Sequence, residues 1–193
     1  PTIIRKKLKY KGDILFMEHH LAHAASAFLV SPFKKAAILT VDGVGEWATA
    51  SYGYGEDNNI TLLKELRFPH SLGLLYSTVT AFLGFTVNDA EYKVMGLSPY
   101  GNPAYYDKFK KIVHVNDDGS INLDMRYFDF HYKLRMPSKK FIDEFGPIRK
   151  KESKLEQRHK DIAASLQKIT EEVIFKMLNH LYEEAKIKNP CTF

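Results

Sequence analysis

The chain has 193 residues, 45% of them hydrophobic, and a net charge of +5 from 28 basic and 23 acidic side chains. That length suits one domain with a substantial core, and no run approaches the ~20 apolar residues that cross a bilayer. A single cysteine, Cys191, excludes an internal disulfide and points to a reducing, cytoplasmic setting. The excess positive charge gathers in Arg5-Lys6-Lys7, Lys139-Lys140 and Arg149-Lys150-Lys151. No aromatic residues interleave with these groups as in RNA-binding surfaces, so they read as a solvated basic face and not a nucleic-acid interface.

Residues 1–12 show no clear periodicity. Asp13-Ile14-Leu15-Phe16-Met17 reads as a short buried strand that delivers the chain to Glu18-His19-His20-Leu21-Ala22-His23-Ala24-Ala25. This second stretch reads as a helix ending near Val30, because Ser31-Pro32 opposes continuation. His19 and His23 then stand one turn apart on one face, while His20 points elsewhere. Glu18 lies at the helix entry, where negative charge is favourable.

Ala36 to Val41 reads as a buried strand running into an Asp42-Gly43-Val44-Gly45-Glu46 turn. Acidic and glycine residues at the carboxyl end of a strand are where open α/β sheets place ligands. Two imidazoles at helical spacing plus the Asp42 carboxylate make a donor set for one divalent cation. The alternative is that both histidines are structural.

Trp47 to Tyr54 and Asn59 to Phe68 read as two strands of a hairpin linked through Gly55-Glu56-Asp57-Asn58. A helix starts at Pro69-His70-Ser71 and runs through Leu72, Leu75, Val79, Phe82 and Leu83 to a stop at Gly84. In the segment Asn88 to Gly101, Glu91 and Lys93 stand among apolar neighbours and are either solvated at a helix start or buried with partners. Residues 102–157 hold a short amphipathic helix from Pro103 to Val113 and a turn at Asp117-Asp118-Gly119 between short strands. After them come an aromatic cluster of Tyr127, Phe128, Phe130 and Tyr132, a helix from Lys139 to Phe145, and a polar loop. The cluster is either packed core or a platform for a sugar. Leu155 to Ile187 is one long amphipathic helix, with His159 and His180 as structural residues, and Cys191-Thr192-Phe193 begins another strand.

Three separated motifs carry a family resemblance. They are His19-His20-Leu21-Ala22-His23-Ala24-Ala25-Ser26-Ala27-Phe28, then Asp42-Gly43-Val44-Gly45-Glu46, then Glu91-Tyr92-Lys93-Val94-Met95-Gly96-Leu97-Ser98-Pro99-Tyr100-Gly101. In this order, and with His159-Lys160-Asp161-Ile162-Ala163-Ala164-Ser165-Leu166-Gln167, the chain resembles carbamoyltransferases of the nodulation-factor, cephamycin and tobramycin type from about Met17 onward.

The resemblance implies a mixed α/β, actin/Hsp70-like (ribonuclease H-like) ATPase half-domain, close to the protein of universal tRNA threonylcarbamoylation. By the same resemblance, 1–193 is part of one larger domain, 102–157 a family-variable insertion, and an adenylate-forming domain lies elsewhere. It also implies iron, with zinc as the alternative, on His19, His23 and Asp42. ATP, carbamoyl phosphate and a carbamoyl adenylate are the implied substrates and intermediate, with Mg2+ as a companion of the nucleotide and a hydroxyl-bearing acceptor. Gly43 and Gly45 then let backbone approach phosphate, Glu46 orders water or is a solvated strand residue, Lys93 faces phosphate and Glu91 ribose. Two rivals are threonylcarbamoyl transfer to tRNA and a non-catalytic nucleotide-binding module of the same fold.

Overall fold

The computed structural model describes residues 1–193. In chain order its elements are α1 (Thr2–Leu8), α2 (His19–Phe28), β1 (Lys35–Gly45), β2 (Ala48–Glu56), β3 (Asn59–Arg67), α3 (Leu72–Phe82) and α4 (Glu91–Leu97). They continue as α5 (Tyr106–Ile112), β4 (Val113–Val115), β5 (Ile121–Leu123), α6 (Lys139–Phe145), α7 (Gln157–Ala185) and β6 (Pro190–Thr192). The main sheet is mixed, in the order β3-β2-β1-β6. β1, β2 and β3 form an antiparallel meander, and β6 joins the other side of β1 in parallel.

β1 separates two cores by its period-two alternation. Ala36 and Ile38 pack with Ala24 and Phe28 of α2 on one face, together with Cys191. Ala37 and Leu39 turn to the opposite face, where α3 and α7 cover the sheet. Residues of α5, α6 and the β4–β5 hairpin close that larger core, so the stretch expected as an insertion contributes Phe109, Ile112, Ile121, Phe128, Phe141 and Phe145 to it. Tyr127 and Phe128 of the aromatic cluster are buried there, and Phe130 packs between Phe68 and Phe128. Only Tyr132 is well exposed, and its hydroxyl donates to Asp129. Three of the four rings are thus in the core or packed against it. No helix is long and apolar enough to cross a membrane.

Two sequence expectations change. Asp13 to Met17 is not a strand, and Leu15 is 91% exposed. An apolar run becomes a buried strand only where a neighbouring strand pairs it, and none stands beside this one. The Asp42-Gly43-Val44-Gly45 segment is not a turn but the end of β1, bulged against β2 so that Val41 pairs Ala50 and Gly45 pairs Ala48. The tight turn is Glu46-Trp47, with Glu46 at φ 60.

The long helix α7 starts at a reciprocal cap. His159 Nδ1 accepts from the Glu156 N–H at 2.9 Å, the half of a capping box in which histidine takes the usual Glu/Gln place, and the His159 N–H donates to the Glu156 backbone carbonyl at 3.1 Å. His70 Nδ1 likewise accepts from the Leu123 N–H at 3.1 Å. Burial holds both imidazoles below 6.5, and for His159 the nearby Arg158 charge adds to it. A protonated ring cannot accept these bonds. Below pH 6.5 the unfolded chain therefore binds these protons first and stability falls. The expected result is a melting temperature that drops between pH 7 and pH 5, with the drop reduced in His159→Gln.

Candidate metal centre

Local geometry brings the donor set together. α2 lies across β1, and its His19 and His23 rings stand edge to face with centroids 4.3 Å apart. Asp42 continues the alternation of Ala36, Ile38 and Thr40, so it emerges on the α2 face of the sheet. The bulge begins immediately after Val41 and re-aims the strand end, as bulges beside functional sites do. Ser71, the cap of α3, holds this irregular backbone. Its hydroxyl donates to the Gly43 carbonyl at 2.6 Å and accepts from the Leu74 N–H at 2.9 Å.

Asp42 Oδ2 lies 2.6 Å from His19 Nε2 and 3.3 Å from His23 Nε2, and the two imidazole nitrogens are 2.8 Å apart. Oδ1 accepts from the Gly43 N–H at 2.6 Å. Burial alone raises the Asp42 pKa, but the hydrogen bonds from His19, Gly43 and His23 outweigh it and hold the carboxyl below 3.8. The site opens toward solvent on one side, with the His19 side chain 42% and the His23 side chain 19% exposed.

Proton counting tests whether these residues fit a metal. Each imidazole nitrogen offers one proton or one lone pair, directed in the ring plane. His19 Nε2 cannot serve Asp42 and His23 together, and protons on both nitrogens aim them at Asp42 while they face each other at 2.8 Å. No protonation pattern satisfies all three contacts. A divalent cation taking three lone pairs does, and tetrahedral ligand atoms about 2.1 Å from an ion stand about 3.4 Å apart. The His23–Asp42 spacing of 3.3 Å already matches, and the two shorter spacings reach it by opening about 0.6–0.8 Å. The three atoms are the ligand-competent group of the molecule.

The other residues singled out by sequence lie as follows. Gly45 is packed under His19, since a Cβ there stands 2.0 Å from His19 Cδ2, whereas a Cβ on Gly43 meets only Leu74 at 3.8 Å. Glu46 lines a cavity of about 210 Å³ beside the site, together with Glu18, His19, Trp47, Glu65 and Arg67. Trp47 is 70% exposed at its rim. Glu91 and Lys93 are on α4, which packs on α3 and α7. Glu91 Oε1 accepts from Ser77 Oγ and the Asn88 N–H, each at 2.9 Å. Burial pushes its pKa up, but these and further backbone bonds hold it below 4.5. The Lys93 ammonium lies 5.9 Å over the Tyr92 ring.

Two residues at the site were given no role in the sequence reading. Phe193 stacks on the His23 ring with centroids 3.8 Å apart, and a separation of 170 positions in the chain left no local signal for that contact. His20 is buried against the sheet. Its signal was present, because His20, Ala24 and Phe28 share one helical face.

Residues 2–192 match the family described as carbamoyltransferase N-terminus. An uncharacterized protein of Synechocystis sp., sll1178, is 49% identical over 98% of this chain and 32% of its own length. The nodulation protein NolNO of Sinorhizobium fredii is 36% identical over 91% of this chain and 24% of its own length. For the nodulation protein NolO of Bradyrhizobium diazoefficiens the identity is 33%, over 85% of this chain and 28% of that protein. The chain thus spans a third or less of the length of these relatives. It belongs to the carbamoyltransferase N-terminus family.

Proposed function

We propose that this chain is the metal- and nucleotide-binding part of an O-carbamoyltransferase with an actin/Hsp70-like ATPase fold. In this reading a carbamoyl adenylate, made from carbamoyl phosphate and ATP, gives its carbamoyl group to a hydroxyl of a sugar or natural product. The observation that carries it is the convergence of His19, His23 and Asp42 in a chain of this family. The β1–β2–β3 meander with β6 parallel on its far side supports the fold assignment.

In the transfer, the acceptor hydroxyl oxygen forms a bond to the carbamoyl carbon. The bond from that carbon to the adenylate phosphate oxygen breaks, AMP leaves, and the hydroxyl proton is released. His19, His23 and Asp42 hold a divalent ion, iron or zinc, which polarises the carbamoyl oxygen or orients the phosphate when bound. Asp42 is ionised at neutral pH, and the bonds it accepts extend that charge to lower pH. Gly43, where a Cβ would meet only Leu74 at ordinary van der Waals distance, admits a phosphate to the backbone. Gly45 shapes the same strand end, and Glu46 orders water in the adjoining cavity. Lys93 meets phosphate and Glu91 ribose, with Mg2+ accompanying the nucleotide, and the cavity beside His19 gives the acceptor its place.

The test supplies chemically prepared carbamoyl adenylate, divalent iron and a hydroxylated acceptor, and follows AMP release and the carbamoylated product. Acceptor-dependent product that is lost in Asp42→Asn is the expected result. Nucleotide binding without acceptor-dependent release, unchanged in Asp42→Asn, replaces this reading with a non-catalytic nucleotide module. A Lys93→Ala protein with unchanged ATP affinity removes Lys93 from the nucleotide site.

A further inference from the structure

His20 lies between the two candidate ligands in sequence and bonds to neither. It is nevertheless 3% exposed, and both of its ring nitrogens are engaged. Nε2 is 3.0 Å from the Ala48 carbonyl, which only accepts, so the ring proton resides on Nε2. Nδ1 then accepts from the Thr40 hydroxyl at 2.6 Å, and Thr40 Oγ1 accepts from Ser51 Oγ at 2.6 Å. Every group in this buried chain is satisfied for a neutral ring, as buried polar groups require.

The placement of these partners gives the chain its meaning. Thr40 stands on β1 two residues before Asp42, and Ala48 opens β2 just after the Glu46-Trp47 turn. Ser51 is the cross-strand partner of Thr40. The His20 ring therefore ties the helix that carries His19 and His23 to both strands that frame the Asp42 bulge.

Apart from contacts of the candidate ligand rings themselves, with Gly45 under His19 and Phe193 on His23, His20 is the buried anchor of that end of α2. The helix has ten residues, and its cap residue Glu18 makes no side-chain hydrogen bond. Its other buried residues are Ala24 and Phe28, the latter seated against Gly55 at the far end. Apolar packing is non-directional and tolerates sliding, whereas two hydrogen bonds set rotation and height. A helix turns about 100° per residue, so a small rotation swings both imidazoles away from Asp42.

We infer that His20 is a positioning residue, a two-ended clamp that sets the distance between the histidine pair of α2 and the Asp42 bulge of the sheet. This deepens the metal-centre reading above and rests on it.

The test titrates the chain with Co2+, recording affinity and visible absorption, alongside melting of the metal-free protein. Four variants are compared: His20→Leu, His20→Asn, Thr40→Val and Ile162→Ala. Leucine keeps the burial and removes both bonds, and the expected result is an affinity about 10–100-fold weaker, the range for residues that orient ligands, with an altered spectrum. Asparagine retains an acceptor toward Thr40 and is expected to recover part of the loss. Thr40→Val keeps the side-chain shape, so it probes the clamp even where His20→Leu fails to fold, and it is expected to weaken binding in the same direction. Ile162→Ala, in the core of α7, is expected to lower melting alone. Wild-type affinity and spectrum in both His20→Leu and Thr40→Val overturn the clamp while leaving the metal centre standing. A wild-type chain that binds no Co2+ overturns the metal centre, and the clamp with it.

Discussion

Replacing Asp42 by alanine is expected to abolish divalent-metal binding, and His19→Ala or His23→Ala to weaken it more than about 100-fold, beyond the range for residues that merely orient ligands. The cause lies in the donor geometry. Asp42 Oδ2 is the atom both imidazoles face, at 2.6 and 3.3 Å, so its loss removes the anionic ligand and leaves two neutral nitrogens. Metal content after dialysis checks the first effect. Melting checks the second, since a ligand at 100 times its Kd stabilises by about 2.7 kcal/mol. That metal-dependent gain is expected in the wild type and absent in Asp42→Ala. An equal gain in both proteins places the ion elsewhere.

The second large effect separates two glycines that look equivalent in the sequence. Gly45→Ala sets a Cβ 2.0 Å from His19 Cδ2 and 2.9 Å from its Cβ. Contact with the helix-proximal atom means that a ring flip does not relieve the clash, so α2 itself must move. Overpacking of this kind costs about 1–3 kcal/mol, and here it also displaces a ligand. Gly43→Ala meets only Leu74 Cδ2 at 3.8 Å and is expected to change stability by no more than about 0.5 kcal/mol. Melting and Co2+ affinity are expected to fall together in Gly45→Ala and to stay near wild type in Gly43→Ala. A loss of nucleotide affinity confined to Gly43→Ala supports phosphate approach at that residue. Equal metal affinity in the two variants contradicts the packing role of Gly45.

Much of this architecture was legible because local signals and tertiary contacts agree. The helical spacing of His19 and His23 and the apolar run of β1 both survive folding. So do the hairpin of β2 and β3, the stop at Gly84 and the stripe of α7, because each buries the face its period marks. Asp13 to Met17 misled for the opposite reason: hydrophobicity marks a strand only when a partner strand exists to pair with it. The end of β1 misled through composition, since Asp-Gly-x-Gly favours turns while pairing with β2 and the Ser71 hydroxyl hold it extended. The aromatic residues after Asp124 had no readable direction until the core formed around Phe128 and Phe141. At the site, the spacing of His19 and His23 followed from the helical period, and Asp42 was singled out by its place at the carboxyl end of β1 and by the family resemblance. Phe193 on His23 and Ser71 on Gly43 are long-range contacts, which no window of sequence contains. Gly45 was visible as a glycine, but the reason for it, the His19 ring, was not.

The most direct measurement is X-ray absorption at the metal edge of the Co2+- or Fe2+-loaded chain. The expected result is one ion whose neighbours include two imidazole nitrogens and a carboxylate oxygen at about 2.0–2.2 Å, with one imidazole lost in His19→Ala. An ion without imidazole neighbours, or one whose surroundings are the same in the His19→Ala and Asp42→Ala proteins, contradicts the convergence of His19, His23 and Asp42 on a single cation.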